Sequence, residues 1–282
     1  MKTIKILILT AVALTLMACS FSVNVPTVYT GSTETYEISE APVSKSSANK
    51  LEIEMGAGKL NIENGSSQLV EGTVTYNVDS WKPKITRNDD GIVLSQTNTS
   101  NVGIPDGDIK NDWELSLGDV PIDLSLSTGA YEGDLDLSGL SITNLSISDG
   151  ASKTTVRFDS LNPVKMEELN YKTGASDVEL LGLRNANVDE INFDSGVGSY
   201  TLDFRGDVQD DISVRIQSGM SDITIIVPEN VRAEVNFSSG ISNIDAEGTW
   251  TISGNTYSCG SEGPVIKINL EMALGNLQLK QK

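Results

Sequence analysis

STGAYEGDLDLSGLSITNLSISDGAS, from Ser127 to Ser152, contains one full period of the repeat that determines the fold. Two of its glycines, Gly129 and Gly150, each stand between a polar residue and an alanine. Apolar residues alternate with polar ones after the first glycine and before the second, and a period of two is typical of half-buried β-strands. The stretch therefore predicts two short strands per period, one after each glycine and one before the next.

The same signature recurs along most of the chain. Successive glycines lie 21, 24, 22, 23 and 21 residues apart at Gly129, Gly150, Gly174, Gly196, Gly219 and Gly240. No single unit can bury its apolar face alone, so the units must stack to form a core. A propeller blade needs about 40 residues, and the shorter period suits one coil of a solenoid. The prediction is an all-β fold, a parallel β-helix or β-solenoid with coils of about 21–24 residues.

In such a stack the repeat glycines fall at one corner, where either a positive φ or a close approach to the next coil is required. Two further segments carry the signature, around Gly56 near the front and around Gly275 at the end. The gap from Gly240 to Gly275 exceeds one coil, and residues 249–263 fill it as a predicted hairpin with a turn at Ser253–Asn255.

The chain divides into four predicted parts. They are a signal peptide (1–18), a lipidated tether (19–50) with an edge strand near Tyr36 to Ile38, a smaller β region (51–118) and the solenoid with its hairpin insertion (119–282).

The first residues have the layout of a secretory signal, with Lys2 and Lys5 ahead of an apolar run that ends at Leu16. The run is too short for a membrane-spanning helix, which takes about 20 residues. Leu16-Met17-Ala18-Cys19 resembles the bacterial lipobox. The resemblance implies that signal peptidase recognises Leu16, Met17 and Ala18, and that Cys19 carries a diacylglycerol. The alternative is an ordinary signal peptide with an incidental cysteine.

A lipidated Cys19 would anchor the mature chain at the extracytoplasmic face of a cell membrane. Two acyl chains give stable membrane residence, whereas one alone is marginal. The membrane, reached through this anchor, is therefore the first expected partner.

Composition excludes several function classes. The formal net charge is −19, which argues against nucleic acid and anionic headgroups as partners. Histidine is absent, so catalytic triads and zinc motifs that depend on it are excluded. With Cys19 lipidated, Cys259 has no disulfide partner, and we interpret it as a buried small residue. No cofactor, metal site or catalytic residue is expected.

Three candidate sites have simpler explanations. Asp134, Asp136, Asp203 and Arg205 would suit a polysaccharide-cleaving β-helix enzyme, yet alternating acids also keep a β-surface soluble. Pro105 to Asp112 faintly resembles a calcium loop, but a plain turn explains it equally well. Exposed aromatics can mark glycan sites, and Trp250 and Tyr257 in the insertion are the candidates for one; most aromatics are more simply needed as caps over the ends of the rod.

The chain resembles a known family in three stretches: GAGKLNIENGSSQLVEGTVTYN (56–77), WKPKI (81–85) and WELSLGDVPIDLSLSTGAYEGDLDLSGLSITNLSISDGAS (113–152). They are similar to toast-rack envelope proteins and, more loosely, to adhesin-like β-solenoid repeats. Members of the family are lipoproteins or soluble parts of membrane proteins, and some are linked to cell-wall antibiotic stress signalling, so the resemblance implies a place in the cell envelope. It implies no catalytic residues. This chain lacks the multi-pass membrane region of the signalling relatives.

The expected function is therefore a non-catalytic, membrane-anchored surface lipoprotein that serves as a binding, scaffolding or envelope-stress module. An envelope protein or a glycan is the expected partner. The alternatives are a polysaccharide-active β-helix enzyme, which would need an arginine such as Arg157, Arg184 or Arg205 beside clustered acids, and a surface adhesin.

Overall fold

The computed structural model describes residues 27–44, 47–96, 104–106, 108–207, 210–238 and 241–282. These residues form strands, with one 3₁₀ turn at Asp79–Trp81. The strands are β1 Thr27–Tyr29, β2 Glu34–Glu40, β3 Asn49–Ser66, β4 Val70–Tyr76, β5 Pro83–Arg87, β6 Gly91–Gln96, β7 Ile104–Asp106, β8 Asn111–Gly118, β9 Ile122–Asp136, β10 Ile142–Arg157, β11 Met166–Leu181, β12 Val188–Asp203, β13 Ile212–Val227, β14 Arg232–Ser238, β15 Ile241–Glu247, β16 Thr251–Ser253, β17 Thr256–Cys259 and β18 Val265–Gln281.

The body of the protein is a stack of long parallel strands. β3, β9, β10, β11, β12, β13 and β18 follow one another as parallel neighbours. Each strand supplies both halves of a coil, because it continues through the corner near its glycine. A short connection then leads back to the start of the next strand, as between Arg157 and Met166. The predicted all-β solenoid is confirmed.

The order of the stack departs from the order of the chain. β18 pairs with β13 on one side and with β14 and β15 on the other, so the last strand lies inside the stack. The sequence had placed it at the end. Every coil presents the same alternation of apolar and polar residues, and this alternation does not specify which coil lies next to which.

The repeat glycines form a column through the stack. Gly56, Gly129, Gly150, Gly174, Gly196 and Gly219 stand at equivalent positions between registered neighbours. A methyl group built at Gly150 would lie 2.8 Å from the carbonyl oxygen of Gly129, and one at Gly219 would lie 2.5 Å from that of Gly196. None of the six has a positive φ. Of the two reasons considered from the sequence, close approach between coils is therefore the one that applies.

Two of the predicted repeat glycines are not among these six. Gly275 pairs with Ser221, two positions beyond the corner, and Ala273 stands at the corner of β18 instead. Gly275 has a φ of 147°, so a backbone requirement of its own accounts for that glycine. Gly240 lies outside the described residues.

Inward-facing aliphatic side chains form ladders inside the coils. Leu145, Leu169, Ile191 and Val214 occupy one such ladder and are at most 1% exposed. Burial of each such side chain contributes roughly 1.5–3 kcal/mol. Because the ladders continue from coil to coil, the stack has one continuous core.

Both ends of the stack are built from half-strands. At the front, β6 and β8 pair with different halves of β3, and β4 and β2 extend the sheet beyond β8. The region assigned to the tether thus contributes β2 to the folded body. At the other end, β14 and β15 pair with the two halves of β18. The inserted segment forms the hairpin β16–β17, and β17 covers the outer edge of β14.

Candidate interaction surface

The corner of each coil turns two successive residues toward solvent. In β11, Thr173 and Ser176 are buried, whereas Gly174 and Ala175 between them are exposed. The residue after each glycine therefore points outward, and the register of the strands stacks these residues above one another. A row of side chains consequently runs along the corner of the whole molecule.

This row changes in character along the stack. It consists of small residues in the first coils, at Ala57, Ala130, Ala151 and Ala175. In the adjacent strands β12, β13 and β18 it continues with Val197, Met220 and Leu274, whose exposed fractions are 54%, 55% and 48%. We call these last three residues the apolar ridge. Contiguous exposed apolar side chains are a typical feature of interaction sites.

Acidic residues flank the apolar ridge on both sides. Asp194 and Glu271 lie two positions before the corner, and Asp222 lies three positions beyond it. Asp194 forms an ion pair with Arg215 at 3.3 Å. An open depression of about 500 Å³ adjoins the ridge and is lined by Asp194 and Glu271, among others. The surface therefore combines exposed apolar groups with a negative rim.

The inner side of the same corner holds a buried polar cluster. The carboxylate of Asp149 accepts hydrogen bonds from Tyr171 Oη at 2.9 Å, from Ser152 Oγ at 3.0 Å and from Ser176 Oγ at 3.1 Å, and Thr173 Oγ1 donates a further one. Hydrogen bonds of this kind offset the cost of burying a carboxylate. The cluster therefore holds neighbouring coils together at the corner from inside.

Tyrosine rings complete this cluster. Burial raises the pKa of Tyr131 to about 12, and it also raises the pKa of Tyr171 and of Tyr200. The hydroxyls of Tyr131 and Tyr200 are buried without a hydrogen-bond partner. These phenols stay protonated at physiological pH, and none of the three is exposed to a substrate. We assign the cluster a structural role.

A family comparison agrees with this architecture. The model of the N-terminal domain of toast_rack, DUF2154, matches residues 29–167 and 160–226, more than half of the chain. The chain belongs to the toast-rack family. None of the curated proteins compared with the chain matches it.

Several solved structures are similar to the chain at low sequence identity. A "putative cell adhesion protein" from Clostridium sporogenes is 19% identical, with a TM-score of 0.47, and the match covers 89% of this chain and 99% of that one. A "putative adhesin" from Bacteroides fragilis is 14% identical, with a TM-score of 0.46 over the same shares. A "putative lipid binding protein" from Parabacteroides distasonis is 10% identical, with a TM-score of 0.43, covering 90% and 99%.

The toast-rack body brings two of the candidate arginines beside acids, namely Arg157 and Arg184, and Arg184 lines an open depression with Asp210 and Glu262. Arg157, Asp134 and Asp136 line an open groove of about 330 Å³ together with Glu63 and Glu114. Arg157 forms an ion pair with Asp134. A guanidinium stays protonated in proteins and is a poor proton acceptor, whereas a carboxylate can serve as a general base. The groove can donate and accept hydrogen bonds.

Arg184 and Arg205 also stabilise turns. Arg205 forms an ion pair with Asp203 from two residues before, and the Asp203 side chain is 1% exposed. Arg184 donates a hydrogen bond from Nη1 to the carbonyl oxygen of Gly206 at 2.9 Å. Asp203 and Arg205 therefore close the turn after β12 and do not face a groove.

Residue 107 of the candidate calcium loop lies outside the described residues. Pro105 and Asp106 lie in β7, which pairs with β1. Within the described part of the chain, no group of three acidic or cysteine side chains could hold a metal ion.

The aromatic candidates divide into two groups. Trp113 and Tyr131 are buried inside the coils. Trp250 and Tyr257 are half-buried at the end of the stack, where Tyr257 contacts the ring of Phe237 with centroids 5.9 Å apart.

Cys259 is buried and forms no disulfide, and burial raises the pKa of its thiol. Cys19 and the predicted peptidase-recognition residues Leu16, Met17 and Ala18 lie outside the described residues. Over the part of the chain that the structure describes, no helix has the length and apolar character of a membrane span.

Sequence reasoning did not single out the apolar ridge. The sequence does contain a signal for it at the position directly after each repeat glycine. This position holds alanine in the first coils and a large apolar residue at Val197 and Met220. Leu274 could not be added, because the register that places it beside Met220 depends on β18 entering the stack.

Proposed function

We propose that this toast-rack protein is a lipid-anchored, non-catalytic binding protein at the extracytoplasmic face of a bacterial membrane. The lipobox-like sequence ending at Cys19 supports the anchor. The solenoid then serves as a rigid carrier that presents its corner to a partner. Binding, scaffolding and envelope-stress roles all use such a surface.

The observation that carries the proposal is the apolar ridge. Val197, Met220 and Leu274 project from neighbouring strands that are registered over most of their length, so the side chains cannot withdraw into the core. Core positions on either side of the corner are already filled. A partner that buries these three side chains would remove apolar surface from water. Each Å² of apolar surface buried in this way stabilises the complex by roughly 25 cal/mol. The favoured partner is an envelope protein with a matching apolar patch.

A glycan partner and a polysaccharide-active enzyme are second candidates. The half-buried Trp250 and Tyr257 favour the glycan, and the carboxylate groove with Arg157 favours the enzyme. If the protein is such an enzyme, it should release oligosaccharides from an acidic polysaccharide, and the Arg157→Lys variant should lose this activity. Without such release, the groove is a solvated surface.

Two arms test the proposal. Full-length Cys19→Ser should move from the membrane to the soluble fraction, since the acyl chains are the proposed anchor. Separately, the Val197→Ser, Met220→Ser, Leu274→Ser variant should lose envelope components that the unaltered protein retains after cross-linking in cells. The matched control changes Ala57, Ala130 and Ala175 of the same row to serine. If the two variants captured envelope components equally well, the apolar ridge would not be the binding surface.

A further inference from the structure

The strand β15 has an edge that the described part of the chain leaves unpaired. β15 pairs with β18 over residues 241–247, and its opposite edge has no strand partner among the described residues. An unpaired edge presents a row of backbone N–H and C=O groups that can pair with an added strand.

Two other edges of the stack carry protection against strand addition. β14 is covered by β17. The edge strand β5 begins at Pro83 and carries Lys84 and Arg87, and prolines and lysines on an edge disfavour further pairing. β15 contains no proline and no lysine, and neither strand of the hairpin pairs with it. The hairpin side reaches β15 only at its last residue, where Trp250 Nε1 donates a hydrogen bond to the carbonyl oxygen of Glu247 at 3.0 Å.

The core beneath β15 is incompletely covered. Ile244 and Ala246 face inward and pack against the core, yet both remain only half-buried. Elsewhere in the same columns, Leu277 and Leu279 are at most 1% exposed because strands flank them on both sides. An added strand with apolar residues facing inward would therefore complete the core at this end.

The outward face of β15 is acidic. Asp245 and Glu247 are exposed and alternate with the inward residues. Opposite charges on directly opposing positions of neighbouring strands stabilise the pair, and like charges destabilise it. The outward residues of an added strand should therefore be basic.

We propose that β15 binds an extended peptide segment of a partner protein, in which apolar residues alternate with lysine or arginine, by adding it as a further strand to the sheet. Backbone hydrogen bonds supply the general affinity, and the alternating side chains supply the selectivity. The site begins next to the apolar ridge, since Ile241 pairs with Gly275 directly after Leu274, but it uses the strand edge and not the ridge side chains. It does not depend on the lipid anchor.

A second copy of this chain fits the edge less well. The edge strand β2 at the far end carries Glu37 on its outward face, which would lie beside the acids of β15. Pairing of β15 with its own copy would gather Asp245 and Glu247 from both chains in one small area. Charge thus favours a basic partner over self-association.

The test uses a fluorescent seven-residue peptide that alternates valine and lysine, titrated into the protein lacking its signal peptide. Anisotropy should show saturable binding, and hydrogen exchange should slow at the amides of Asn243–Glu247. Two control peptides keep part of the chemistry: one has N-methyl groups on alternate amides, and one has glutamate in place of lysine. Both should lose binding, since one blocks backbone pairing and the other reverses the charge.

Matched protein variants locate the site. Asp245→Lys with Glu247→Lys should weaken binding by about tenfold or more, because two favourable pairs become repulsive. Asp177→Lys with Glu179→Lys makes the same charge change on the exposed face of β11, which is paired on both sides, and should have a smaller effect. Equal weakening by the two variants, undiminished binding of the N-methylated peptide, or concentration-dependent dimerisation through β15 in sedimentation would each overturn the proposal.

Discussion

At the scale of single residues, the corner glycines are explained by space and not by torsion angle. A side chain at Gly219 would contact the carbonyl oxygen of Gly196 in the next coil, and the same geometry recurs down the column. Their spacing is visible in the sequence, whereas the choice between the two reasons considered for them needs the structure. The buried carboxylate of Asp149, which hydroxyls of two coils solvate, needed coordinates to be found.

The first prediction concerns this column. Gly219→Ala should lower the free energy of unfolding by about 1–3 kcal/mol, the usual cost of overpacking, because the methyl group would lie 2.5 Å from the oxygen of Gly196. Urea unfolding measures the change. Ala175→Ser, at an exposed position, is the control and should stay within about 0.5 kcal/mol. Equal stability of Gly219→Ala and the unaltered protein would contradict the close-approach explanation.

The second prediction concerns the free thiol. Cys259 is 5% exposed, and burial raises the pKa of its thiol, so little thiolate is available at pH 8. A thiol reagent should label it slowly in the folded protein and quickly in urea. Fast labelling of the native protein would show that this end of the stack opens readily.

At the scale of elements, the half-strands and their corner follow from the sequence, but the order of stacking does not. Alternating apolar residues and a glycine every 21–24 residues predict coils. This pattern does not specify which strands are neighbours. Ile268 of β18 lies against Val214 of β13, but by its apolar character alone a residue of β14 could occupy that place equally well. Pairing between distant segments is settled by connections and end effects, which a local pattern does not contain.

The third prediction tests this order. A chain that ends at residue 263 lacks β18 and therefore removes the shared neighbour of β13, β14 and β15. Hydrogen exchange should show lost protection over residues 212–247, whereas β9, β10 and β11 should keep theirs. A stack in chain order would instead leave residues 232–247 protected against β13.

At the scale of the whole molecule, the structure is a rod with one continuous core, an apolar ridge on its corner and an unpaired edge at one end. We propose that the rod is attached to the membrane through Cys19, at the end of the lipobox-like sequence. Among the described residues of this arrangement, no group of three acidic or cysteine side chains could hold a metal ion.

The fourth prediction concerns the stability of the folded protein at alkaline pH. Burial raises the pKa of Tyr131 from 10.0 to about 12, so the folded state holds its proton over a range where the unfolded chain has lost it. The stabilisation is complete below pH 10 and is lost as pH rises toward 12. One such group accounts for roughly 2–3 kcal/mol. Urea unfolding from pH 8 to pH 12 should show this decline, and Tyr131→Phe should make it less steep. A decline of the same slope in both proteins would contradict the assignment.

The most direct test of the whole account is a cross-link across the ridge. In a chain with Cys19→Ser and Cys259→Ala, cysteines introduced by Met220→Cys and Leu274→Cys should form a disulfide under mild oxidation, because these positions are paired neighbours in adjacent strands. The pair Met220→Cys and Ile241→Cys should not, since β18 separates their strands. The reverse result would mean that the coils stack in chain order and that the apolar ridge does not exist as described.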